Sequence, residues 1–303
     1  MRDNSRLFYA ECTAFPSPLA VKLCLRPRTV QPDSDSAQRQ HDALLRVFRA
    51  LGDAAQFTVP RPYLVRADGG LLATEWIAGD SMNALLLSWR CSRAVAQRLL
   101  ARAGRWLRCF HDAHALVPAR VDLEDKLTFV AEMRDAHAVH DPVFFAALRR
   151  LCESAEAAAE VSVARSWIHG DFKADNLLVS GPRTVGIDIH LRHESPVIYD
   201  LAPFLNHLEL GLCHPRGWRF AGCQALLREA FLTSYFGARS EALDVALSWV
   251  QLYLLLQGWH TAREHARSWL RCRMIDHSYR LVASRLAARL TAGGAAMAQT
   301  EPA

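Results

Sequence analysis

The stretch that decides the fold lies in the middle of the chain and reads His169-Gly170-Asp171-Phe172-Lys173-Ala174-Asp175-Asn176. Two leucines follow, and after a turn at Gly181-Pro182 the chain reads Val185-Gly186-Ile187-Asp188. Short apolar runs separated by polar and Gly-Pro punctuation predict small strands around a loop. We therefore expect Asp171 and Asn176 on one loop, with Asp188 at the end of the next hairpin strand, pointing back at the same spot.

These three side chains are of the types that phosphoryl transfer requires. One carboxylate orients the attacking hydroxyl and accepts its proton, while an amide oxygen and a second carboxylate hold magnesium against the nucleotide phosphates. Each residue alone is explained as well by a turn, a strand start or a surface position. The functional interpretation depends on the three residues occurring together, in this order and at this spacing.

The block resembles the aminoglycoside phosphotransferase and choline-kinase-like branch of the protein-kinase-like fold. In that family the catalytic loop reads His-Gly-Asp-x-x-x-x-Asn, and a later strand ends in an Ile-Asp pair. The family's Tyr-Asp-Leu-Ala stretch is matched at residues 199–202. The resemblance covers about residues 6–260, with its specific part at 169–202, and implies an α+β, bilobal fold with a small β-rich N-lobe and a larger helical C-lobe.

Catalytic roles follow from this resemblance. It implies that Asp171 is the catalytic base or orients the substrate, and that Lys173 contacts the γ-phosphate. His169 belongs to the same catalytic loop and is a third candidate catalytic residue. The implied reaction is transfer of a γ-phosphate to a hydroxyl of a small molecule.

Cofactor sites are also implied by the resemblance. Asn176 and Asp188 correspond to the magnesium ligands, and Asp200 corresponds to an aspartate that supports the catalytic loop. The implied cofactors are ATP and Mg²⁺.

Lys22 is the candidate residue for the nucleotide phosphates. It stands in Ala20-Val21-Lys22-Leu23, which resembles the strand whose lysine grips the α- and β-phosphates. Only three of the 36 basic residues are lysines, so a retained lysine indicates a need for a compact ammonium; a solvated strand lysine is the alternative. The family's helix acid lacks an inward counterpart, because Asp42 lies opposite the apolar face while Gln40 lies inward. A neutral amide at Gln40 can hydrogen-bond an ammonium, although it orients the charge less strongly than a carboxylate.

The segment 72–79 reads Leu-Ala-Thr-Glu-Trp-Ile-Ala-Gly and resembles the hinge that binds adenine. The implied contacts are main-chain groups of Glu75 and Ile77, with Thr74 at the gatekeeper position. Besides the missing helix acid, the family pattern fails in a second respect, because no glycine occurs before Gly52. The glycine-rich loop that covers the phosphates is therefore absent from this part of the chain, and we expect the first strand of the N-lobe to be missing or very short.

Hydrophobic periodicity predicts the domain organisation. Strands are predicted at 7–13 and 19–25, a helix at 37–51, and a hairpin at 62–67 and 71–77. Helices are predicted at 81–88, 92–114, 124–138 and 142–160, and again from about 200 to 291, with short strands at 167–170, 176–179 and 184–189. We expect an N-terminal nucleotide-binding lobe at 1–78, a helical lobe at 79–303 that carries the substrate site, and a disordered tail from about 292.

Composition excludes several functional classes. With 303 residues, 51% apolar and 22% charged, the chain predicts an ordinary globular protein. It lacks an apolar run long enough to span a bilayer and an N-terminal secretion signal, so we expect a cytoplasmic location. Eight scattered cysteines predict reduced core residues rather than disulfides. The net charge of +5 is spread among acids without a basic, aromatic-interleaved run, which argues against nucleic-acid binding.

The charge of residues 201–303 bears on the acceptor. This segment has eleven arginines, no lysine and seven acids, whereas a polycationic antibiotic calls for an acidic pocket. We therefore favour a sugar, sugar derivative or amino alcohol, neutral or anionic, over an aminoglycoside. The alternative is that these arginines solvate helix surfaces. Aromatic residues at 235, 236, 249, 253 and 259 could stack on a sugar, but their helical spacing favours core packing.

Two other functions remain open. A non-catalytic nucleotide-binding regulator, or pseudokinase, is favoured by the missing glycine-rich loop and helix acid, and disfavoured by the intact Asp171, Asn176 and Asp188. A protein kinase of bacterial type is disfavoured by Gly170, where protein kinases carry arginine, and by the lack of an Ala-Pro-Glu segment after Asp188.

Overall fold

The structure of the protein is a computed structural model that describes residues 5–27, 29–52, 55–114, 116–135, 139–191, 193–213, 215–220, 222–266 and 268–298, with 135 and 292–298 described by their backbone alone. Within these ranges the strands are β1 (Ser5–Ala10), β2 (Leu19–Cys24), β3 (Phe57–Thr58), β4 (Pro62–Arg66), β5 (Leu71–Glu75), β6 (Asp80–Ser81), β7 (Val117–Arg120), β8 (Ser162–Trp167), β9 (Leu177–Ser180), β10 (Arg183–Gly186) and β11 (Glu194–Pro196). The α-helices are α1 (Ser34–Leu51), α2 (Met82–Leu87), α3 (Arg93–Asp112), α4 (Glu124–Asp135), α5 (Pro142–Glu153), α6 (Ala155–Ala159), α7 (Ile198–Leu212), α8 (Gln224–Phe236), α9 (Glu241–Glu264) and α10 (Trp269–Ala298). Short 3₁₀ turns lie at Ala67–Gly69, Ala174–Asn176 and Pro215–Phe220.

These elements form two compact units. The first unit comprises Met1–Ala115, Trp167–His193 and Ala230–Tyr235, and the second comprises Leu116–Ser166, Glu194–Glu229 and Phe236–Ala303. All but one of the candidate site residues lie in the first unit, and the exception is Asp200. The lobe boundary expected near residue 79 stays a prediction.

The first unit contains a four-stranded antiparallel sheet in the order β1-β2-β5-β4. Helix α1 packs against β4 and β5. It begins where the Asp33 side chain accepts a hydrogen bond from the backbone N–H of Ser36, which satisfies one of the free donors of the first turn. It ends at Gly52, whose φ of 85° lies in the region that favours glycine. The register of β2 and β5 sets Lys22 opposite Leu72.

A second sheet of the first unit has the order β3-β10-β9-β6, and helix α3 packs on it. The fully buried Trp106 of α3 donates from its indole nitrogen to the carbonyl of Thr58 in β3, at 2.8 Å. Its ring also stacks on Phe172, with 5.7 Å between the ring centroids. Trp106 therefore joins helix α3 both to the sheet, at Thr58, and to the segment after Asp171, at Phe172.

Gly186 at the end of β10 gives a test of this packing. We expect Gly186→Ala to lower the free energy of unfolding by about 3 kcal/mol, because an added Cβ would lie 2.0 Å from Cζ2 of the buried Trp106 and overpacking a filled core is costly. Denaturant unfolding measures the change. The matched control is Gly211→Ala in α7, where a Cβ meets no described atom within 4 Å and helix propensity predicts a gain of about 0.5–1 kcal/mol. Equal stability of both variants would refute the close contact at Gly186.

The second unit is mainly helical, with α9 packed against α5, α7 and α10. Trp249, Tyr253 and Trp259 of α9 are buried, so their role is core packing rather than sugar stacking. A three-stranded sheet in the order β11-β8-β7 completes the unit.

A charged network is buried among these helices. The Glu209 carboxylate of α7 accepts hydrogen bonds from Gln251 of α9 and Arg289 of α10, at 3.2 and 3.0 Å. Arg228 of α8 donates to Gln251 and lies 3.5 Å from Glu209, and burial lowers the pKa of its guanidinium to about 10. Arg228 and Arg289, two of the eleven arginines counted in residues 201–303, are thus paired with an acid within the fold.

Several boundaries differ from the predictions. The strand expected at 167–170 was wrong, because β8 ends at Trp167 and the catalytic motif follows as a loop that ends in the 3₁₀ turn Ala174–Asn176. The helix expected at 142–160 is interrupted at Ser154, whose hydroxyl donates to the carbonyl of Arg150 at 2.7 Å and competes with helix continuation. Asp80–Ser81 forms a short strand paired with β9, so the helix expected from residue 81 begins at Met82. The helical backbone of α10 continues to Ala298, and residues 136–138 and 299–303 lie outside the described part.

None of the eight cysteines, all of which lie in described ranges, forms a disulfide; their reduced state stays a prediction. The predicted core position holds for Cys24 and Cys91, whereas four others are half-buried and Cys12 and Cys152 are exposed. In the described part of the chain, no helix combines the length and the apolar composition needed to cross a membrane. The cytoplasmic location stays a prediction.

Candidate active site

The motif 169–176 forms a compact loop around Asp171. Gly170 has φ 84°, a conformation that side-chain-bearing residues seldom adopt. The amide nitrogen of Asn176 donates to the backbone carbonyl of Asp171 at 2.8 Å and to its carboxylate at 3.1 Å. Lys173 Nζ lies 2.7 Å from the same carboxylate oxygen. Asp171 is therefore oriented by two donors from its own loop.

His169 lies behind this loop rather than in an open cavity. It is fully buried and packs edge-on against the rings of Trp106 and Phe172. Its Nδ1 faces the backbone N–H of Asp171 at 3.4 Å, and its carbonyl accepts a hydrogen bond from the N–H of His190 at 3.2 Å. The imidazole therefore holds the start of the loop and its neighbour in place.

Asp188 lies beyond the end of β10 with φ 57°, in the left-handed region that aspartate tolerates. The preceding Ile187 donates its N–H to the carbonyl of Asn176 at 2.9 Å. This bond brings Asp188 next to the catalytic loop. The Asp188 carboxylate forms an ion pair with Lys22 of β2, at 2.6 Å.

Asp188 thus takes the place of the missing helix acid as the partner of Lys22. The amide nitrogen of Gln40 donates instead to the Ser36 hydroxyl at 2.9 Å and to the Cys24 sulfur at 3.6 Å. Gln40 was predicted to face inward, and its side chain lines the same cavity as Lys22.

That cavity, which we call the nucleotide cavity, has a volume of about 360 Å³ and lies within the first unit. Most of its lining is apolar, and its polar side chains include Lys22 and Asp188. The lining residues that matter below are Ala20, Lys22, Gln40, Leu72, Thr74, Glu75, Ile77, Leu178, Ile187 and Asp188. An apolar pocket with a lysine and a carboxylate on its wall suits a flat base joined to phosphates.

Comparison with known proteins agrees with this geometry. The model of the phosphotransferase enzyme family matches residues 19–244. The chain belongs to the phosphotransferase enzyme family. This confirms the resemblance found in the sequence and makes the protein a kinase-type phosphotransferase. A search of curated protein sequences found no significant match.

Solved structures show how the phosphotransferase folds. A choline/ethanolamine kinase family protein from Mesorhizobium loti is similar over 94% of this chain and 92% of its own, with a TM-score of 0.60 at 16% identity. A glucosamine kinase in complex with glucosamine, ADP and inorganic phosphate is similar over 93% and 79%, with a TM-score of 0.59 at 18% identity. An amicoumacin kinase, hAmiN, in complex with AMP-PNP, Ca²⁺ and Ami is similar over 94% and 87%, with a TM-score of 0.60 at 12% identity. The predicted α+β, kinase-like fold class is confirmed.

The segment 72–79, predicted to be the adenine-binding hinge, is held in place by Glu75. Its N–H donates to the carbonyl of Arg61 at 2.8 Å. Its carboxylate contacts Arg183 and the N–H of Arg61, both at 3.3 Å. The side chain thus fixes the end of β5, and Glu75 and Ile77 both line the nucleotide cavity.

Two residues complete the comparison with the sequence predictions. Asp200 is buried in the first turn of α7, where its N–H donates to the carbonyl of Val197 at 3.0 Å; its support of the catalytic loop stays a prediction. Sequence reasoning missed Asn83 of α2, whose amide donates to the Asp175 carboxylate of the catalytic loop at 2.9 Å. No local pattern could have identified this contact, because the two residues are far apart in the chain.

The ionisation of Asp188 is set by two opposing effects. Burial acts to raise the pKa of the Asp188 carboxyl group. The charge and the hydrogen bond of Lys22 act to lower it, with smaller contributions from His190 and His169. The lowering effects outweigh burial, so the pKa is below its ordinary value. The stabilisation by this carboxylate is therefore complete above the unfolded-state pKa, and it is lost as the pH falls through the lower folded-state pKa.

This balance predicts the behaviour of a lysine variant. We expect Lys22→Met to raise the pKa of Asp188, because the cation is removed while burial remains. A ¹³C NMR titration of aspartate carboxyl groups measures the shift, with Lys126→Met as the matched control that leaves Asp188 unchanged. An unaltered Asp188 titration in Lys22→Met would contradict the ion pair.

Proposed function

We propose that this phosphotransferase moves the γ-phosphate of ATP to a hydroxyl of a small molecule, with Mg²⁺ as cofactor. The observation that carries the proposal is the ion pair of Lys22 and Asp188 on the wall of the nucleotide cavity. Asp188 lies next to the loop of Asp171 and Asn176, because the preceding Ile187 is hydrogen-bonded to Asn176. The printed ligands of two similar structures, ADP and AMP-PNP with Ca²⁺, support the use of a nucleotide and a divalent cation.

Adenine fits the apolar part of the nucleotide cavity. Ala20, Leu72 and Leu178 supply the apolar walls, and the main-chain carbonyl of Glu75 and N–H of Ile77 supply the hydrogen bonds. Lys22 then exchanges Asp188 for the α- and β-phosphates. A lysine ammonium suits this exchange because it is a compact charge, whereas an arginine would have to break two parallel hydrogen bonds to the carboxylate.

Asn176 and Asp188 fit a magnesium site. The Asn176 amide nitrogen faces Asp171, so its oxygen is turned the other way and is available as a ligand. The lowered pKa of Asp188 keeps its carboxylate ionised, as a hard cation requires. Magnesium bound here, with phosphate oxygens and water, would neutralise the charge that develops on the phosphates.

Asp171 orients the acceptor hydroxyl. As the acceptor oxygen forms its bond to the γ-phosphorus, the bond to the β-phosphate oxygen breaks, ADP leaves, and the hydroxyl proton passes to the Asp171 carboxylate. Lys173, paired with Asp171 in this structure, is within reach of the transferred phosphoryl group and stabilises its charge. His169 acts as a positioning residue.

For the acceptor we propose a sugar, a sugar derivative or an amino alcohol. The net positive charge of residues 201–303 disfavours a polycation, although the ion pairs of Arg228 and Arg289 with Glu209 reduce the positive charge available to a substrate. The glucosamine complex of one similar structure supports an amino sugar as the first compound to test.

The experiment is an acceptor screen for ADP release. Purified protein with ATP and Mg²⁺ is offered glucosamine, choline, fructose-amine adducts and sugar phosphates, with Asp171→Asn run in parallel. Acceptor-dependent ADP release by the natural sequence alone supports the proposal. Equal background in both proteins across the panel would favour the second candidate, a nucleotide-binding regulator. That candidate is supported by the absence of glycine before Gly52.

A further inference from the structure

A larger cavity lies on another side of α1 in the first unit. Its volume is about 570 Å³, and its lining includes Arg39, Gln40, Asp42, Arg46, Trp167 and His190. We call it the α1 cavity. The proposed reaction assigns no chemical role to these residues, and only Gln40 among the six also lines the nucleotide cavity.

The charges of the α1 cavity favour an anion. Arg39 and Arg46 are exposed, and in the described ranges neither has a carboxylate oxygen within salt-bridge distance. The guanidinium of Arg46 stands over the Trp167 ring, 5.1 Å from its centroid, which orients it and shields one face from water. The acid of the cavity, Asp42, already accepts hydrogen bonds from Gln38 and His41, at 2.9 and 3.2 Å.

The α1 cavity adjoins the active site through two residues. Gln40 lines both this cavity and the nucleotide cavity. His190 donates its N–H to the His169 carbonyl, and its Cβ lies 3.7 Å from the position a Cβ would take on Gly170. A ligand here would therefore contact α1 and His190, the residue hydrogen-bonded to the start of the catalytic loop.

We propose that the α1 cavity is a second binding site, for a small organic phosphate. Arg39 and Arg46 lie seven residues, about two helical turns, apart on α1, so both side chains project from one face of the helix, and both line the α1 cavity. A planar guanidinium can bind a phosphate with two hydrogen bonds. The organic part contacts Trp167 and the buried Leu191. This site is separate from the one proposed for ATP.

Calorimetric titration with phenyl phosphate tests the proposal on the full chain. We expect binding to the natural sequence, no binding of phenol, and at least a tenfold weaker affinity in Arg39→Ala/Arg46→Ala, which corresponds to about 1.4 kcal/mol. Arg98→Ala, an exposed arginine of α3 outside the cavity, and Lys22→Ala in the nucleotide cavity should both bind as the natural sequence does.

Two results would overturn the proposal. One is the absence of phenyl phosphate binding at millimolar concentration. The other is binding that Lys22→Ala removes and the arginine variants do not, which would place the compound in the nucleotide cavity. If the double variant fails to fold, Arg39→Gln alone serves, since this exposed side chain has no described packing role, and an unchanged affinity in that variant would equally reject the site.

Discussion

Asp171→Asn should lower kcat for phosphoryl transfer by about 10³-fold or more, since a positioned base typically contributes about 10²–10⁴. The substitution keeps the size of the side chain, so the contact with Asn176 can persist in part, but the amide cannot accept the proton of the acceptor hydroxyl. We expect the Kd for ADP and Mg²⁺ to stay within about threefold. Steady-state kinetics with the acceptor found in the screen, together with calorimetry for ADP, measures both quantities.

The matched control for this prediction is Asp68→Asn. Asp68 is an exposed aspartate of a turn in the same unit, and its substitution should leave kcat unchanged. A fall in nucleotide affinity equal to the fall in kcat would show that Asp171 holds the nucleotide and not the acceptor. Unchanged kcat in Asp171→Asn would remove it from the reaction.

Asp188→Asn should strongly reduce the dependence of nucleotide binding on Mg²⁺. In the natural sequence we expect Mg²⁺ to tighten ADP binding, because the carboxylate holds the cation against the phosphates. In the variant that gain should fall by at least about tenfold. Without the cation, ADP binding should hold or improve, since the substitution releases Lys22 from its ion pair. Calorimetry with and without Mg²⁺ measures the four affinities.

This design separates a metal ligand from a structural residue. A structural role predicts equal weakening of ADP binding in both conditions, together with a lower melting temperature. Retention of the full Mg²⁺ effect in Asp188→Asn would exclude the carboxylate from the metal site. Asp80→Asn, on an exposed residue of β6, is the matched control.

The sequence predicted the elements around the site because their signals are local. The spacing of Asp171 and Asn176 lies within one loop, and Asp188 follows the very next hairpin, so no long-range folding information was needed. Helix α1 was likewise predicted from the periodicity of Leu44 and Val47 and from Gly52 at its end. The loop geometry brings together the residues that the motif named.

The contacts that could not be predicted join distant segments. Lys22 and Asp188 lie on a strand and a loop far apart in the chain. Helical periodicity pointed to Gln40 of α1, not to Asp188, as the polar residue facing the lysine. The pairing of Asn83 with Asp175 is of the same kind. Periodicity reports which face of an element is apolar, but it carries no information on which polar groups meet across two elements.

The buried network of Glu209, Arg228 and Arg289 shows a further limit. A count of charges along residues 201–303 treats every arginine as available to a ligand. Arg228 and Glu209 are almost completely buried and lie 3.5 Å apart, so the charge of Arg228 is already paired within the fold. Burial therefore has to be known before net charge can be used to choose an acceptor.

The most direct test of the central idea is a crystal structure of the phosphotransferase with AMP-PNP and Mg²⁺. The account predicts the nucleotide in the cavity lined by Lys22, with a cation about 2.1 Å from the amide oxygen of Asn176 and from the Asp188 carboxylate, and the γ-phosphate facing Asp171. A cation coordinated by neither Asn176 nor Asp188, or a nucleotide bound elsewhere, would contradict it.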